Sequence, residues 1–301
     1  MKADTTDRKT AADFPPPVLV LFDQYVHGLL PRRAFVERAA RYCAGIAGAE
    51  LALAQLAPNF AWAQQVRPDD TRIEAVRSAF PSPEGHGEVK GLLVRPRGAT
   101  GPAGAVLVVH ENRGLNPYIE DVARRVALEG WIAFAPDALA PLGGYPGDEE
   151  QARALFPKIE QPKARADFAA AATALRTLAG SNGRVGVVGF CYGGSIANHL
   201  ATVLPWLAAA VPFYGGQPPA EAAARARAAL QLHFAGQDER INAGWPAWEA
   251  ALKAAGVRHE AHVYPGTQHG FHNDTTPRYD EAAARLAWQR TRDFFRQHLA
   301  P

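Results

Sequence analysis

A cysteine set among glycines is the residue of this sequence best placed to do chemistry. Cys191 lies in the stretch Gly-Phe-Cys-Tyr-Gly-Gly (residues 189–194), after the strand-like run Arg184–Val188 and before the helix-compatible run Ser195–Leu200. A sharp turn between strand and helix exposes its central residue in a strained conformation, and glycines two positions away avoid collisions there. A thiolate at such a turn is a strong nucleophile once a helix N-terminus or a histidine lowers its pKa. The alternative interpretation is a tight turn holding an inert core cysteine.

Two further reactive residues also follow predicted strands. Asp238 comes directly after the run Leu230–Ala235, and His269 follows the run that ends at Tyr264. The carboxyl ends of parallel strands share one edge of a sheet, where ligand sites lie. We therefore predict a Cys191–Asp238–His269 triad, in which His269 moves the thiol proton and Asp238 orients the imidazole. Taken alone, Asp238 is also typical of an ordinary turn, and His269 competes with nine other histidines.

Composition narrows the classes of function. The chain has 301 residues, 48% of them hydrophobic, and a net charge of +2, which is enough for one sizeable α/β core and gives no support for a nucleic-acid partner. There is no run apolar enough for a secure membrane span, and no CxxC, HExxH or P-loop motif. Two cysteines, Cys43 and Cys191, cannot form a disulfide framework. We expect a small-molecule substrate, no metal and no cofactor, in a monomer or homodimer.

Strand-like runs alternate with helical patterns over residues 71–301. The predicted strands are Arg72–Ala79, Glu88–Arg95, Ala105–His110, Trp131–Pro136, Arg184–Val188, Leu207–Phe213, Leu230–Ala235 and His259–Tyr264. The predicted helices are Ile119–Glu129, Glu149–Phe156, Lys163–Leu178, Ser195–Leu204, Ala220–Arg227, Trp245–Ala255 and Asp280–His298. The alternation predicts a doubly wound, mostly parallel sheet with its first two strands antiparallel at one edge. With a nucleophile–acid–histidine order, this predicts the α/β-hydrolase fold.

Residues 1–70 form a separate N-terminal extension. Met1–Pro17 is polar and is expected to be a mobile lead-in. Arg32 and Arg33, followed by an alanine-rich stretch and Ala61-Trp62-Ala63, resemble a twin-arginine export signal, although charged residues interrupt the apolar part. The alternative is a pair of retained amphipathic helices, Pro17–Gly28 and Pro31–Gln55. The location is therefore either cytoplasmic or, through a degenerate signal, periplasmic.

Four motifs together resemble the dienelactone hydrolase family, the carboxymethylenebutenolidases and their relatives. They are the cysteine turn, His-Glu-Asn-Arg-Gly (110–114), Gly-Gln-Asp-Glu-Arg (236–240) and Gly-Thr-Gln-His-Gly-Phe (266–271), and the resemblance runs from about Ile73 to the C-terminus. It implies that Glu111 contacts the resting cysteine until substrate displaces it. A carboxyl at a buried strand end near a thiol can also hold or release a proton. The alternative for Glu111 is an ion pair with Arg113 or Arg124.

The remaining site residues are inferred from their positions. An oxyanion hole would use the backbone N–H groups of Tyr192 and Asn112. Arg113, Tyr118 and Tyr145 could contact substrate, although core packing explains the two tyrosines equally well.

Two departures from the family concern the substrate. Enzymes that take dienelactone itself have an arginine after the strand that corresponds to Trp131–Pro136, and this chain has none there; another lies four residues after the histidine, where this chain has Asn273. The absence of both arginines argues against that acidic lactone as the substrate, although Arg113 could take their place in binding its carboxylate.

The resemblance implies a cofactor-free hydrolase of esters or lactones that works through an acyl-cysteine intermediate. Activated leaving groups, such as those of enol esters and enol lactones, would suit a cysteine nucleophile. The alternatives are a catalytically silent binding or scaffold protein on the same fold and a thiol redox sensor. The sensor lacks a nearby resolving cysteine in the sequence, because Cys43 lies in the extension.

Overall fold

The structure, a computed structural model, describes residues 8–62 and 64–300. Met1–Asp7 of the expected lead-in and Ala63 of the export-like motif lie outside the described residues. Within the described ranges, each helix is too short or too polar to cross a bilayer.

One eight-stranded sheet forms the centre of the chain after the extension. This portion, from residue 71 onward, carries Cys191, Asp238 and His269 and is called the catalytic part below. Its strands are β1 (Ile73–Ser82), β2 (Gly87–Pro96), β3 (Ala103–Val109), β4 (Ile132–Pro136), β5 (Ser181–Phe190), β6 (Ala209–Phe213), β7 (Ala229–Ala235) and β8 (His259–Tyr264). The spatial order is β1-β2-β4-β3-β5-β6-β7-β8. β1 pairs with β2, and β2 with β4, in antiparallel fashion, whereas every other pairing is parallel. The predicted antiparallel edge is confirmed.

Helices cover both faces of the sheet. They are α4 (Pro117–Leu128), α5 (Glu149–Leu155), α6 (Gln161–Thr177), α7 (Tyr192–Val203), α8 (Glu239–Asn242), α9 (Trp245–Ala254) and α10 (Glu281–Leu299), after three helices of the extension, α1 (Pro16–Val26), α2 (Arg32–Ala39) and α3 (Gly45–Leu56). Apolar side chains of α4 and α10 share one core with the sheet, and those of α6, α7 and α9 share the other. The central strands β3 and β6 are continuous apolar runs because both of their faces are buried.

This architecture is the α/β-hydrolase fold with N-terminal helices, as predicted. All eight predicted strands are present with small shifts at their ends. The predicted helix at Ala220–Arg227 is a short 3₁₀ helix, Ala220–Arg225.

The extension packs its three helices around a hydrophobic cluster of their own. The cluster is centred on Phe22, Tyr25 and Phe35, whose rings lie 5.7–6.4 Å apart. The sequence indicated one helix over Pro31–Gln55, but the structure divides this stretch into α2 and α3. The division has a physical cause, because Gly45 adopts a φ of +69° at the start of α3, in the left-handed region that a continuous helix cannot contain.

Candidate active site

The cysteine turn has the strained geometry that its glycines predict. Cys191 lies between β5 and α7 with φ +55° and ψ −110°, a conformation that L-residues rarely adopt. A Cβ on Gly189 would lie 1.9 Å from the carbonyl oxygen of Gly193, and one on Gly193 would lie 2.2 Å from the carbonyl oxygen of Val109. Only glycine therefore fits at either position. The turn presents the thiol at the first turn of α7, where the helix dipole favours a thiolate.

The structure brings His269 and Asp238 to this thiol. His269 Nδ1 lies 2.5 Å from Asp238 Oδ2, with both side chains buried. Because this contact holds the proton at Nδ1 when the ring is neutral, Nε2 remains for proton transfer. A ring nitrogen of His269 lies within 4.8 Å of Cys191 Sγ, and Nε2 has no hydrogen-bond partner among the described residues. The nitrogen is thus available to the thiol and to a substrate.

A second histidine reaches the same sulfur from the extension. His27, at the C-terminal end of α1, places Nε2 3.4 Å from Cys191 Sγ. Its Nδ1 lies 2.7 Å from the backbone oxygen of Asp23 and 3.3 Å from the carboxylate of that residue. The rings of His27 and His269 meet edge to face, with centroids 4.7 Å apart. Two aspartate–histidine pairs therefore flank one thiol.

Charge interactions, more than burial, decide how these groups ionise. Burial would raise the pKa of the Cys191 thiol, but His269 and His27 outweigh it and hold that pKa well below the usual value. Burial would lower the pKa of His269, yet the Cys191 thiolate and Asp238 raise it to about 10. The pKa of His27 is likewise raised, against burial, by Cys191 and Asp23. These directions describe a thiolate stabilised by imidazolium at neutral pH.

Glu111 lies directly beyond the end of β3, where its Oε2 accepts a 2.7 Å hydrogen bond from Nδ2 of Asn273. The two arginines considered as alternative partners pair elsewhere, Arg113 with Glu149 and Arg124 with Glu120 and Asp121. Burial, followed by the nearby Cys191 thiolate, raises the pKa of Glu111 to about 7. A carboxyl with such a pKa exchanges its proton near neutrality, and Asn273 holds it where the family's arginine is absent.

The extension also binds the loop that follows β3. The side-chain amide of Asn112 donates a 2.7 Å hydrogen bond to the carbonyl oxygen of Val26, and Arg113 donates one of 3.2 Å to the same oxygen. The Asn112 side chain is thus engaged with α1, while the oxyanion role predicted for this residue concerns its backbone N–H. Tyr192 follows Cys191 in the chain, and its hydroxyl donates to Gln161, 3.0 Å away. The oxyanion role of its backbone N–H stays a prediction.

A cavity of about 220 Å³ opens beside the thiol between the extension and the catalytic part. Phe22, His27 and Leu53 are among the residues that the extension contributes to its walls, and Arg113 and Arg278 are among those of the catalytic part. Three arginines and three glutamates stand among the described lining residues. The cavity therefore has a mixed, balanced charge.

The two tyrosines predicted near substrate occupy different positions. Tyr118 is fully buried, its hydroxyl lies 2.7 Å from His272 Nδ1, and it is not among the described residues that line the cavity. Its ring packs against Phe190 in the core, so the structure does not bring it to the site. Tyr145 does not line the cavity among the described residues either, but its hydroxyl donates to the lining residue Glu149, 3.0 Å away.

The three donors around the sulfur could also bind a cation. The ligand atoms of His27, Cys191 and His269 all lie within 4.8 Å of one another. A thiolate with two imidazoles is a donor set that zinc and copper accept. A bound ion would occupy the lone pairs of both the thiol and Nε2 of His269, and would thus prevent the proton transfers described above.

The doubly wound sheet, with a buried cysteine turn at the end of β5, an aspartate after β7 and a histidine after β8, defines the class of protein, an α/β-hydrolase. Comparisons with known proteins narrow the class. The family model described as "Dienelactone hydrolase family" matches residues 89–299. The chain belongs to this family. A second model, described as "YqhI-like", matches residues 5–41 of the extension.

Relatives agree with this membership. The "Putative carboxymethylenebutenolidase" of Escherichia coli (strain K12) is 32% identical over 77% of this chain and 89% of its own length. The "Putative hydrolase fragment YghX" of the same strain is 56% identical over 35% of this chain and 90% of its own length. Among solved structures, a "Putative Dienelactone Hydrolase" from Klebsiella pneumoniae is 28% identical with a TM-score of 0.66, covering 75% of this chain and 99% of its own.

Sequence reasoning missed His27. It lies 164 residues before Cys191, outside the four motifs that resemble the dienelactone hydrolase family, and no motif indicates that α1 docks at the thiol. The one available signal was the pair Asp23 and His27, four residues apart on a helix face.

Proposed function

We propose that this hydrolase cleaves small esters or lactones without a cofactor, through an acyl intermediate on Cys191. The observation that carries the proposal is the thiol on its positive-φ turn beside the buried His269–Asp238 pair. A nucleophile within reach of a histidine that a carboxylate orients is the arrangement that acyl transfer requires.

The reaction has two halves. The Cys191 thiolate attacks the carbonyl carbon, forming the C–S bond while the carbonyl electron pair moves onto oxygen. When that pair returns, the C–O bond breaks and His269 gives its Nε2 proton to the leaving oxygen. Water then loses a proton to the neutral His269 and attacks the acyl carbon, and the C–S bond breaks to regenerate the thiolate. Asp238 keeps the imidazole oriented throughout.

The oxyanion of each tetrahedral intermediate needs preorganised donors. We propose the backbone N–H groups of Tyr192 and Asn112, which follow the nucleophile and strand β3 respectively. Glu111, with its pKa near 7, binds or releases a proton as the negative charge on Cys191 appears and disappears. Asn273 positions Glu111 for this role.

The cavity limits the substrate to small molecules. A 150 Å³ apolar cavity takes a benzene molecule, so about 220 Å³ suits a monocyclic or short-chain ester. Two of the three lining arginines are already engaged, Arg113 with Glu149 and Arg278 with Asp23, and the third, Arg32, is largely exposed. A neutral lactone or ester thus fits better than dienelactone, which carries a carboxylate.

The extension, residues 1–70, is proposed to remain in the working enzyme beside the catalytic domain, residues 71–301. Its support is the set of contacts that α1 makes with the thiol and with Asn112 and Arg113. An exported protein that lost this segment would expose the cavity and the thiol to solvent.

The test compares Cys191→Ala with the wild type on p-nitrophenyl acetate and a panel of enol lactones. We expect kcat/KM to fall by at least about a thousandfold, because the covalent route is lost. Cys43→Ala, which removes the half-buried cysteine of the extension, is the matched control and should retain activity. Activity that survives in Cys191→Ala would overturn the acyl-cysteine mechanism.

A further inference from the structure

We infer that His27 is a second catalytic histidine, supplied by the N-terminal extension to stabilise the Cys191 thiolate when it forms and when it leaves the acyl intermediate. The inference rests on the proposed function and adds to it, since the triad accounts for one imidazole only.

The distances around His27 distinguish it from a residue that only lines the cavity. Its Nε2 is 3.4 Å from Sγ, within reach of an N–H···S hydrogen bond, whereas Nε2 of His269 has no hydrogen-bond partner among the described residues. Asp23 holds the opposite nitrogen, Nδ1, through both its backbone oxygen and its carboxylate. An imidazole fixed at Nδ1 by an acceptor directs Nε2 at the sulfur, as His269 does from the other side.

The elements around α1 hold this residue in register with the thiol. Asp23 also pairs with Arg278 at 3.5 Å and with Arg240 at 3.6 Å. One residue before His27, the carbonyl of Val26 accepts the hydrogen bonds of Asn112 and Arg113 described above. The loop that is proposed to supply an oxyanion donor thus also fixes the end of α1, so the second imidazole is part of a built site.

The charges facing His27 are of both signs. Cys191 and Asp23 favour its protonated form, while His269 and burial oppose it. Arg240 also stands near, with Nη2 3.1 Å from Nε2, and its side chain is 38% exposed. A guanidinium can only donate, so this contact belongs to neutral His27. When Nε2 carries a proton and donates it to the thiolate, Arg240 can turn to water.

His269 and His27 have different roles in the proposed reaction, because one transfers a proton and the other only donates a hydrogen bond. His269 gives its proton to the leaving oxygen in the first half and receives one from water in the second. When the C–S bond breaks, the electron pair returns to sulfur, and His27 donates its Nε2–H to that new charge without transferring the proton. A hydrogen bond to the leaving thiolate lowers the barrier to deacylation, the slow step expected of a thioester.

The experiment measures the thiol pKa by iodoacetamide alkylation across pH, in a Cys43→Ser background so that labelling reports on Cys191. In His27→Gln and His27→Ala, we expect this pKa to rise by at least about one unit, so that labelling slows about tenfold below the wild-type value. The kcat for p-nitrophenyl acetate should fall more than KM changes. Val20→Ala, on the exposed face of the same helix, is the control and should match the wild type.

A reciprocal measurement keeps the inference falsifiable if a variant loosens α1. Linkage requires that the thiolate raise the pKa of His27 as much as His27 lowers that of the thiol. The NMR resonance of His27, identified by its absence in His27→Gln, should therefore titrate at lower pH in Cys191→Ala than in wild type. Unchanged alkylation profiles in both variants, or an unchanged His27 titration in Cys191→Ala, would overturn the inference. Neither readout needs turnover, so each is independent of a failure of the proposed hydrolysis.

Discussion

Several ionisable residues share the small buried space around the sulfur, and each sets the charge of the others. The thiolate raises the pKa values of His269 and Glu111, and the two imidazoles lower that of the thiol. Removing any one of these groups therefore changes the titration of the rest. The pH dependence of a variant is for this reason more informative than its activity at one pH.

Glu111→Gln should change how stability depends on pH. The folded-state pKa of Glu111, about 7, lies above its ordinary value of 4.5. A raised pKa contributes stability that is complete below the unfolded value and is lost as pH rises through the folded value. Between pH 4.5 and pH 7, the free energy of unfolding of the wild type should fall by on the order of 3 kcal/mol because of this group, at about 1.4 kcal/mol per pH unit. Glu111→Gln has no group to ionise there, so its free energy of unfolding should not fall in this way. Urea unfolding at pH 5 and pH 8 should therefore show that the variant is more stable relative to wild type at pH 8 than at pH 5.

The Cys191→Ala background is the control for this effect. Burial is the main cause of the raised pKa and the thiolate is the second. The relative gain of Glu111→Gln should thus persist without the thiol, but become smaller. A stability difference that is the same at both pH values would contradict the assignment.

Residues that follow strands were predictable, and His27 was not. Cys191, Asp238, His269 and Glu111 each follow a predicted strand, and the sheet brings the ends of its parallel strands together. The position of His27 depends on how the extension packs against the rest of the protein, which no local pattern encodes.

At the scale of elements, α1 is the part of the extension that matters for the site. It is held by polar contacts at its C-terminal end and by its own cluster along its length. Phe35 of α2 is fully buried against Phe22 and Tyr25, so α2 supports α1 through these two rings.

Phe35→Ala should loosen α1 and thereby weaken the site at a distance. Truncating a buried phenylalanine costs about 3–5 kcal/mol, and the loss falls on the extension cluster. We expect faster hydrogen exchange in α1, a higher thiol pKa and lower kcat, while the eight-stranded sheet keeps its protection. Hydrogen exchange with mass spectrometry and alkylation kinetics measure these effects.

The matched variant is Tyr42→Ala, which removes an aromatic ring that is 49% exposed in the same extension. It should leave both exchange and alkylation near wild type. Should Phe35→Ala behave like Tyr42→Ala, α1 would not depend on the cluster for its position.

The strands were predictable, and the break between α2 and α3 was not. Central strands such as β3 and β6 are apolar on both faces, so their runs are visible without knowledge of the fold. The break between α2 and α3 depends on the backbone of Gly45 in an otherwise helix-compatible, alanine-rich stretch. Alanine favours helix on both sides of that break, so composition did not mark it.

At the scale of the whole molecule, the cavity lies between two bodies that have separate cores. Both the extension and the catalytic part line it, so its size depends on their docking. Leu53 of α3 and Phe22 of α1 are among the residues that line it.

Leu53→Ala should shift selectivity toward longer acyl chains. The side chain is buried in the extension and lines the cavity, so its truncation enlarges the space beside the thiol. For wild type, we expect kcat/KM on p-nitrophenyl esters to fall by about tenfold or more from butyrate to octanoate, since even one misfit methylene among the added ones costs on the order of 1–3 kcal/mol. In the variant this decline should be smaller.

Leu51→Ala is the control, because Leu51 lies on the same helix and is 58% exposed. Its chain-length profile should coincide with that of wild type. A profile that Leu53→Ala leaves unchanged would mean that the acyl group lies elsewhere.

The flanking of one sulfur by His27 and His269 has a consequence for the protein while it is being made. One imidazole is translated long before the cysteine and the other long after it, and β8 must join the sheet before the second arrives. A nascent chain that has reached only α7 therefore lacks His269, the larger of the two imidazole influences that lower the pKa of the thiol. Electrophiles and oxidants react with thiolates far faster than with thiols, so the cysteine reaches its full reactivity only when synthesis is almost complete. The order of the residues along the chain thus delays that reactivity until the protein can fold around the thiol.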